Sequence, residues 1–194
     1  IGACLIAAER PARTTWTFNE DPIGSVPSGF TGQIGSWTVA GSQGNHVLAQ
    51  TAKNDDPVFN LILADAPKAK DLELNVRLRP VSGEFDRGGG LVWRAGDARN
   101  YYVARYNPLE HNFRVYKVQN GKRSLFQSAE IPPSKADGWR SLRVTMTGDH
   151  ITCDLDGKRL LDVHDTTFPD AGKIGLWSKA DAQTEFDDLT MEIR

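Results

Sequence analysis

Apolar residues in this chain recur at every second position and almost nowhere with the helical period. No window of about 12 residues carries apolar side chains at i, i+3, i+4 and i+7 between helix caps, so an amphipathic helix has no stripe to bury. Period-two alternation instead sends successive side chains to opposite faces of a strand. It predicts strands at Thr14–Phe18, Trp37–Ala40, His46–Gln50, Val58–Leu63, Leu72–Pro80, Gly90–Arg94, Tyr101–Tyr106, Asn112–Val118, Lys122–Ala129, Trp139–Thr147, His150–Leu155, Lys158–His164, Lys173–Ser178 and Thr184–Arg194. Asn120-Gly121 and Asp156-Gly157 each lie between alternating runs and supply the residues that tolerate positive φ in a tight hairpin. Gly148-Asp149 is placed to turn Leu142–Thr147 back onto Ile151–Leu155.

So many short strands cannot form one flat sheet, because large open sheets twist and split. A chain of 194 residues is long enough for one sizeable core and short for two. The expected fold is therefore all-β: two packed antiparallel sheets in a β-sandwich. The first strand (Trp16, Phe18) and the last (Phe186, Leu189, Met191) share an apolar pattern and would close one end of the sandwich if adjacent. Residues 14–194 form this domain, and residues 1–13 precede it as a signal-peptide remnant or N-terminal extension. The stub Ile1-Gly2-Ala3-Cys4 also has the look of a lipobox, with Cys4 as a lipid anchor, and a short ordered strand is the third reading. Export to the periplasm, the cell envelope or the medium is expected on the first two.

Charge narrows the partners. Lys plus Arg total 23 against 25 for Asp plus Glu, with no basic run, so a nucleic-acid partner is not expected. No segment reaches the ~20 apolar residues of a membrane span. Two cysteines are too few for a disulfide scaffold, and Cys153, alternating with Ile151 and Leu155, reads as a small buried hydrophobe.

The tyrosines gather in one place: all four, Tyr101, Tyr102, Tyr106 and Tyr116, fall beside Arg94, Arg99, Arg105 and Arg114. With Leu91, Trp93, Tyr102, Ala104, Phe113 and Val115 in the core, alternation turns Arg94, Tyr101, Arg105, Arg114 and Tyr116 outward. Those five would make an aromatic and guanidinium patch able to stack on sugar rings and fork to hydroxyls. The alternative is a solvated sheet whose long side chains pair across strands, and a one-residue slip would exchange the faces.

Phe18-Asn19-Glu20-Asp21, Gly88-Gly89-Gly90-Leu91-Val92-Trp93-Arg94, Asn100-Tyr101-Tyr102, Asn112 to Val118, the Asp154–Lys158 hairpin and Gly172 to Trp177 through Phe186-Asp187-Asp188 together carry a resemblance. From Trp16 to Arg194 the chain resembles the secreted concanavalin A-like, laminin-G-like jelly-roll domains. Many of these are placed in the 3-keto-disaccharide hydrolase family or beside family 16 glycoside hydrolases. That resemblance implies the jelly-roll topology for the two sheets, a sugar partner and, as one alternative, hydrolase or lyase chemistry on 3-keto-glycosides. Its motifs are structural, and fold alone does not assign activity. Family 16 chemistry would need carboxylates in a Glu-x-Asp-x-x-Glu pattern on one strand. The nearest run, Glu84-Phe85-Asp86-Arg87-Gly88-Gly89, has Gly in the third place and reads as a loop.

The four histidines, His46, His111, His150 and His164, show no metal-binding spacing along the chain. Glu110 and His111, in the loop between two tyrosine-rich strands, are the weak candidates for acid–base work. No cofactor is required. A structural calcium is the one ion with ligands to hand, since closure of the sandwich would bring Asn19, Glu20 and Asp21 near Asp187 and Asp188. The other reading of that set is a solvated acidic edge that discourages sheet-to-sheet aggregation. The first functional expectation is a secreted domain that binds an oligosaccharide or polysaccharide through the Arg/Tyr patch without cleaving it. A 3-keto-glycoside enzyme and a purely structural or protein-interaction domain are the alternatives.

Overall fold

The computed structural model describes residues 13–42, 44–133 and 137–194. The lipobox reading of Cys4 and the N-terminal stub lie outside the described residues. Among them the chain forms fifteen strands and no helix: β1 (Arg13–Trp16), β2 (Phe30–Ile34), β3 (Trp37–Ser42), β4 (Asn45–Gln50), β5 (Phe59–Ala64), β6 (Leu72–Ser82), β7 (Gly89–Asp97), β8 (Asn100–Asn107), β9 (Asn112–Gln119), β10 (Lys122–Glu130), β11 (Arg140–Thr147), β12 (His150–Leu155), β13 (Lys158–His164), β14 (Lys173–Lys179) and β15 (Gln183–Ile193).

They pair antiparallel into two sheets. The eight-stranded sheet runs β13-β12-β11-β6-β15-β4-β3, with β1 added on β15; the seven-stranded sheet runs β10-β9-β8-β7-β14-β5-β2. The all-β sandwich of the sequence reading is therefore the fold. Its inner faces interlock along the expected pattern. Leu72, Leu74, Val76, Leu78, Leu142, Val144 and Met146 meet Leu91, Trp93, Tyr102, Ala104, Phe113 and Val115 in one core. Cys153 is buried in it as a free thiol, and the Trp93 indole donates to Met146 Sδ at 3.1 Å.

The hairpins follow their turn chemistry. Asn120 and Gly121 have φ of 52° and 80°, and Asp156 and Gly157 have 50° and 78°, the pair of positive values a two-residue hairpin needs to match strand twist. The first and last strands are neighbours, with Trp16 opposite Leu189 and Thr14 opposite Met191. One edge of β15 is shared: Thr184 to Phe186 pair with β4, and the segment after the irregularity at Asp187-Asp188 pairs with β1.

Strand β2 has no counterpart in the sequence reading. Phe30-Thr31-Gly32-Gln33-Ile34 lies at a sheet edge with only Phe30 buried, so it shows no apolar alternation to read.

Candidate functional site

Alternation continues on the outer face of the seven-stranded sheet, but solvent does not. Leu61, Leu63, Val92, Tyr101, Val103, Tyr116, Val118 and Trp177 form a second buried cluster there. The Arg123 guanidinium lies over it, 4.4 Å from the Tyr116 ring, 5.4 Å from Phe59 and 6.0 Å from Trp177. Tyr101 and Tyr116 face outward as alternation requires, yet both are buried and offer no open ring to a sugar. The Tyr101 hydroxyl accepts a hydrogen bond from the Trp177 indole at 3.1 Å, and burial pushes the phenol well above its ordinary range.

Arg94 leaves this face altogether. A register irregularity follows Trp93 in β7, and Arg94 takes a φ of 46°, which breaks the period-two rule at that residue. Its guanidinium is buried among loops instead, donating to the carbonyls of Lys70 (2.9 Å), Phe168 (2.8 Å) and Gly148 (2.6 Å). The expected five-residue outward patch is thus corrected: Arg94 clamps loops, and Tyr101 belongs to the apolar cluster.

Arg105, Arg114 and Tyr116 do come together, and they do so with Glu110. Register places Arg105 opposite Arg114 and Val103 opposite Tyr116 across β8 and β9. Arg105 is buried, and its NH2 reaches both oxygens of Asp86 at 2.9 and 3.0 Å and Glu110 Oε1 at 2.9 Å. Its NH1 lies 3.5 Å from the Tyr116 hydroxyl. Asn107 donates to Asp86 at 3.0 Å, and Lys179 stands 3.6 Å from the same carboxylate. Glu110 is aimed by a turn in which Asn107 Oδ1 accepts the backbone N–H groups of Leu109 and Glu110. Its Oε2 then accepts from Arg114 at 2.9 Å and from Asn112 at 3.0 Å.

The two carboxylates on this guanidinium are tuned in opposite directions. Burial pushes Asp86 up, and Arg105 and Lys179 pull it back only in part. Partial burial would raise Glu110 as well, but the Asn112 hydrogen bond and the guanidiniums of Arg105 and Arg114 outweigh it and hold the group below its ordinary range. Glu110 is therefore a fixed anion at the surface, with 42% of its side chain exposed beside an Arg114 that is 31% exposed. Two buried polar atoms of the cluster, Arg105 Nε and Asn112 Oδ1, have no protein partner.

A surface depression of about 590 Å³ opens beside this pair, lined by Glu110, His111, Glu130, Ile131, Pro132 and Pro133. The backbone bond from Ile131 N to His111 O, 2.9 Å, ties its two walls together. His111 is exposed at its rim with a φ of 52°. An exposed acceptor and donor side by side at the edge of this depression, Glu110 and Arg114, anchored through Glu110 on the buried Arg105, suit a polar, many-hydroxyl ligand, because adjacent hydroxyls can both accept from and donate to such a pair.

Sequence reasoning passed over Asp86, Asn107 and Asn112. In the sequence Asp86 is part of the incomplete carboxylate run, which does lie in the loop between β6 and β7. That loop is held by Asp181, whose carboxylate accepts the backbone N–H groups of Glu84 (2.6 Å), Phe85 (3.1 Å) and Asp86 (3.0 Å). Gly83, at φ 144°, makes the tight turn: a Cβ there would stand 1.9 Å from the Asp86 carbonyl oxygen.

Four of the residues expected to bind calcium have protein partners, and Asp188 is drawn off to β6. Asn19 accepts from His46 N at 3.0 Å, Asp21 from Ser28 N at 2.8 Å, Asp187 from Asn45 at 2.7 Å, and Asp188 pairs with Arg77 at 3.2 Å.

A family model described as the 3-keto-alpha-glucoside-1,2-lyase-like domain matches residues 16–192. A levanase from Bacillus subtilis is 27% identical over 187 residues, which cover 94% of this chain and 25% of that protein. The chain thus spans about a quarter of the length of this curated relative. Among solved structures, the carbohydrate-binding module CBM66 from Bacillus subtilis superposes with a TM-score of 0.73 at 24% identity, over 88% of this chain and 99% of that one. A Bacillus subtilis protein of unknown function with a galectin-like fold gives 0.64 at 12% identity, over 84% and 88%. The β-sandwich fold is shared with both structures, and with a match running nearly from end to end, the chain belongs to the 3-keto-alpha-glucoside-1,2-lyase-like domain family.

Proposed function

We propose that this domain binds carbohydrate at the depression beside Glu110 and Arg114 and does not cleave it. The observation that carries this reading is the exposed Glu110–Arg114 pair anchored through Glu110 on the buried Arg105–Asp86 pair. A buried, doubly paired guanidinium is expensive to place and adds little net stability over an apolar core. It does fix the two exposed groups above it, and a preorganised acceptor and donor lose little entropy when a sugar docks. The unpartnered Arg105 Nε and Asn112 Oδ1 support the same polar use of the site.

Enzymatic chemistry on 3-keto-glycosides is the second reading, favoured by the family description. It needs an acid or base that reaches the substrate. Asp86 is the carboxyl raised in this cluster, but its side chain is 3% exposed and locked on Arg105. Glu110 is accessible, but it is held ionised by two guanidiniums. That arrangement favours holding a ligand over transferring a proton.

Levan is the first polysaccharide to test, because the matching relative is a levanase. Affinity electrophoresis and calorimetry against levan, other glycans and 3-keto-glycosides should show binding to at least one. Glu110→Ala and Arg114→Ala should each abolish it while leaving the fold intact. Binding that survives both substitutions would overturn the assigned site. Release of product from a 3-keto-glycoside, lost in Glu110→Ala, would favour the second reading.

A further inference from the structure

At the β13 edge of the eight-stranded sheet, two histidines separated by a hairpin become neighbours. Register places His150 of β12 opposite His164 of β13 and Thr152 opposite Asp162, so both histidines and Asp162 share one face of the ribbon. Ile151, Cys153 and Leu161 take the other face, in the core. The two imidazoles stack with centroids 4.5 Å apart and planes 7° from parallel. His150 Nε2 is 2.8 Å from Asp162 Oδ1. One ligand atom from each of the three residues falls within a mutual distance of 4.8 Å, and among the described residues no other group of histidine, cysteine and carboxylate side chains converges this closely.

We propose that His150, Asp162 and His164 form a binding site for a divalent transition-metal ion of the zinc type. Two imidazole nitrogens and one carboxylate oxygen are a borderline donor set, which suits zinc or copper and is poor for calcium or magnesium. In a tetrahedral zinc site the ligand atoms stand about 3.4 Å apart, as bonds of 2.0–2.2 Å require. To close on one ion the two rings must leave their parallel stack and the His150–Asp162 hydrogen bond must open, and the three side chains are half-buried or exposed, with solvent beside them. The outer shell is in place. His164 Nδ1 donates to Asp149 at 3.2 Å, which selects the tautomer with its lone pair on Nε2. The β13 backbone is also fixed at the site, because Asp162 N donates to Gln127 of β10 at 2.8 Å. An ion here would pin the edge strand β13 to β12, far in sequence from Glu110 and Arg114.

The test is calorimetric titration of the whole chain with zinc chloride, with calcium and magnesium chlorides as controls. One zinc site is expected, silent to the other two ions. Its affinity should fall at least tenfold in His150→Ala/His164→Ala, and about tenfold in Asp149→Asn, which touches only the outer shell. Because the double variant removes a ring stack, His164→Gln serves as a second variant, and metal-free melting curves check that each chain folds. With copper(II), electron paramagnetic resonance should show nitrogen couplings from two imidazoles, with one lost in His164→Gln. No zinc binding, or the same isotherm in the double variant as in the parent, would overturn the site.

Discussion

On the outer face of the eight-stranded sheet, Arg77, Arg79, Glu185, Asp188, Arg143 and Asp154 form a lattice of ion pairs, with Arg77 and Arg79 stacked on Trp139 at 4.9 and 5.5 Å. On the outer face of the seven-stranded sheet, Leu61, Val92, Tyr101, Val103 and Trp177 are fully buried in a second apolar cluster. Both sheets use the same inward alternation, so the inner core alone does not distinguish them. The difference lies in what stands on the other parity. Leu72-Glu73-Leu74-Asn75-Val76-Arg77-Leu78-Arg79 alternates apolar and polar, whereas Leu61-Ile62-Leu63-Ala64 and Tyr101-Tyr102-Val103-Ala104 are apolar throughout. A strand with one wet face reads as alternation, and a strand covered on both faces reads as a continuous apolar run. The candidate sugar site sits where the second cluster ends and its edge becomes ionic.

This contrast can be broken by substitution. Trp177→Ala should cost about 3–5 kcal/mol of unfolding free energy, measured by urea denaturation, because it empties a large site in the outer cluster. An effect below ~1 kcal/mol would mean that face is not a second core. Arg105→Ala should cost about 3 kcal/mol by leaving the buried Asp86 without its bidentate guanidinium, balanced only by Lys179 at 3.6 Å and the Asn107 hydrogen bond. Replacing both, as Arg105→Met with Asp86→Leu, should recover much of that loss, and a double variant as unstable as the single would sink the account.

Asp181→Ala should cost about 2 kcal/mol, since a charged acceptor for three backbone donors is removed from the loop that delivers Asp86. It should also weaken glycan binding. Desolvation raises Asp181, but the N–H groups of Glu84, Asp86 and Phe85 outweigh it, so its folded pKa lies below the unfolded value of about 3.9. The stability it contributes is complete above that value and disappears as pH falls through the folded pKa. Asp181→Asn should therefore flatten the acid limb of a stability–pH curve. Asp86, with its pKa raised, works in the opposite sense: its penalty is relieved as pH falls. At the small end, Arg77→Ala should cost less than ~1 kcal/mol, because the Arg77–Asp188 pair is about half exposed and screened. A larger loss, read by thermal melting, would show that the lattice on the eight-stranded sheet holds the fold as firmly as the apolar cluster does.

Local physics was legible without coordinates. The hairpins at Asn120-Gly121 and Asp156-Gly157, the buried Cys153 and the inner core all follow from turn chemistry and parity, while the matching apolar patterns of the first and last strands only allowed the pairing that the fold makes. The candidate site was only half legible. Arg105, Arg114 and Tyr116 could be placed on one face by counting in twos, while Asp86 reaches them from a loop that carries no period. Arg94 was misplaced because a single irregularity in β7 cancels parity from that residue on. Strand β2 was missed because an exposed edge strand needs no apolar alternation.

By itself the sequence determined the class of fold, the strand content, the turns and the inner core, because each of these depends on residues near one another along the chain. Only the tertiary structure decided which outer face is dry, where Arg105 finds its two carboxylates, and that His150 meets His164. Those depend on register between strands and on loops that close over a sheet, and contacts between residues distant in sequence leave no period for a reader to count.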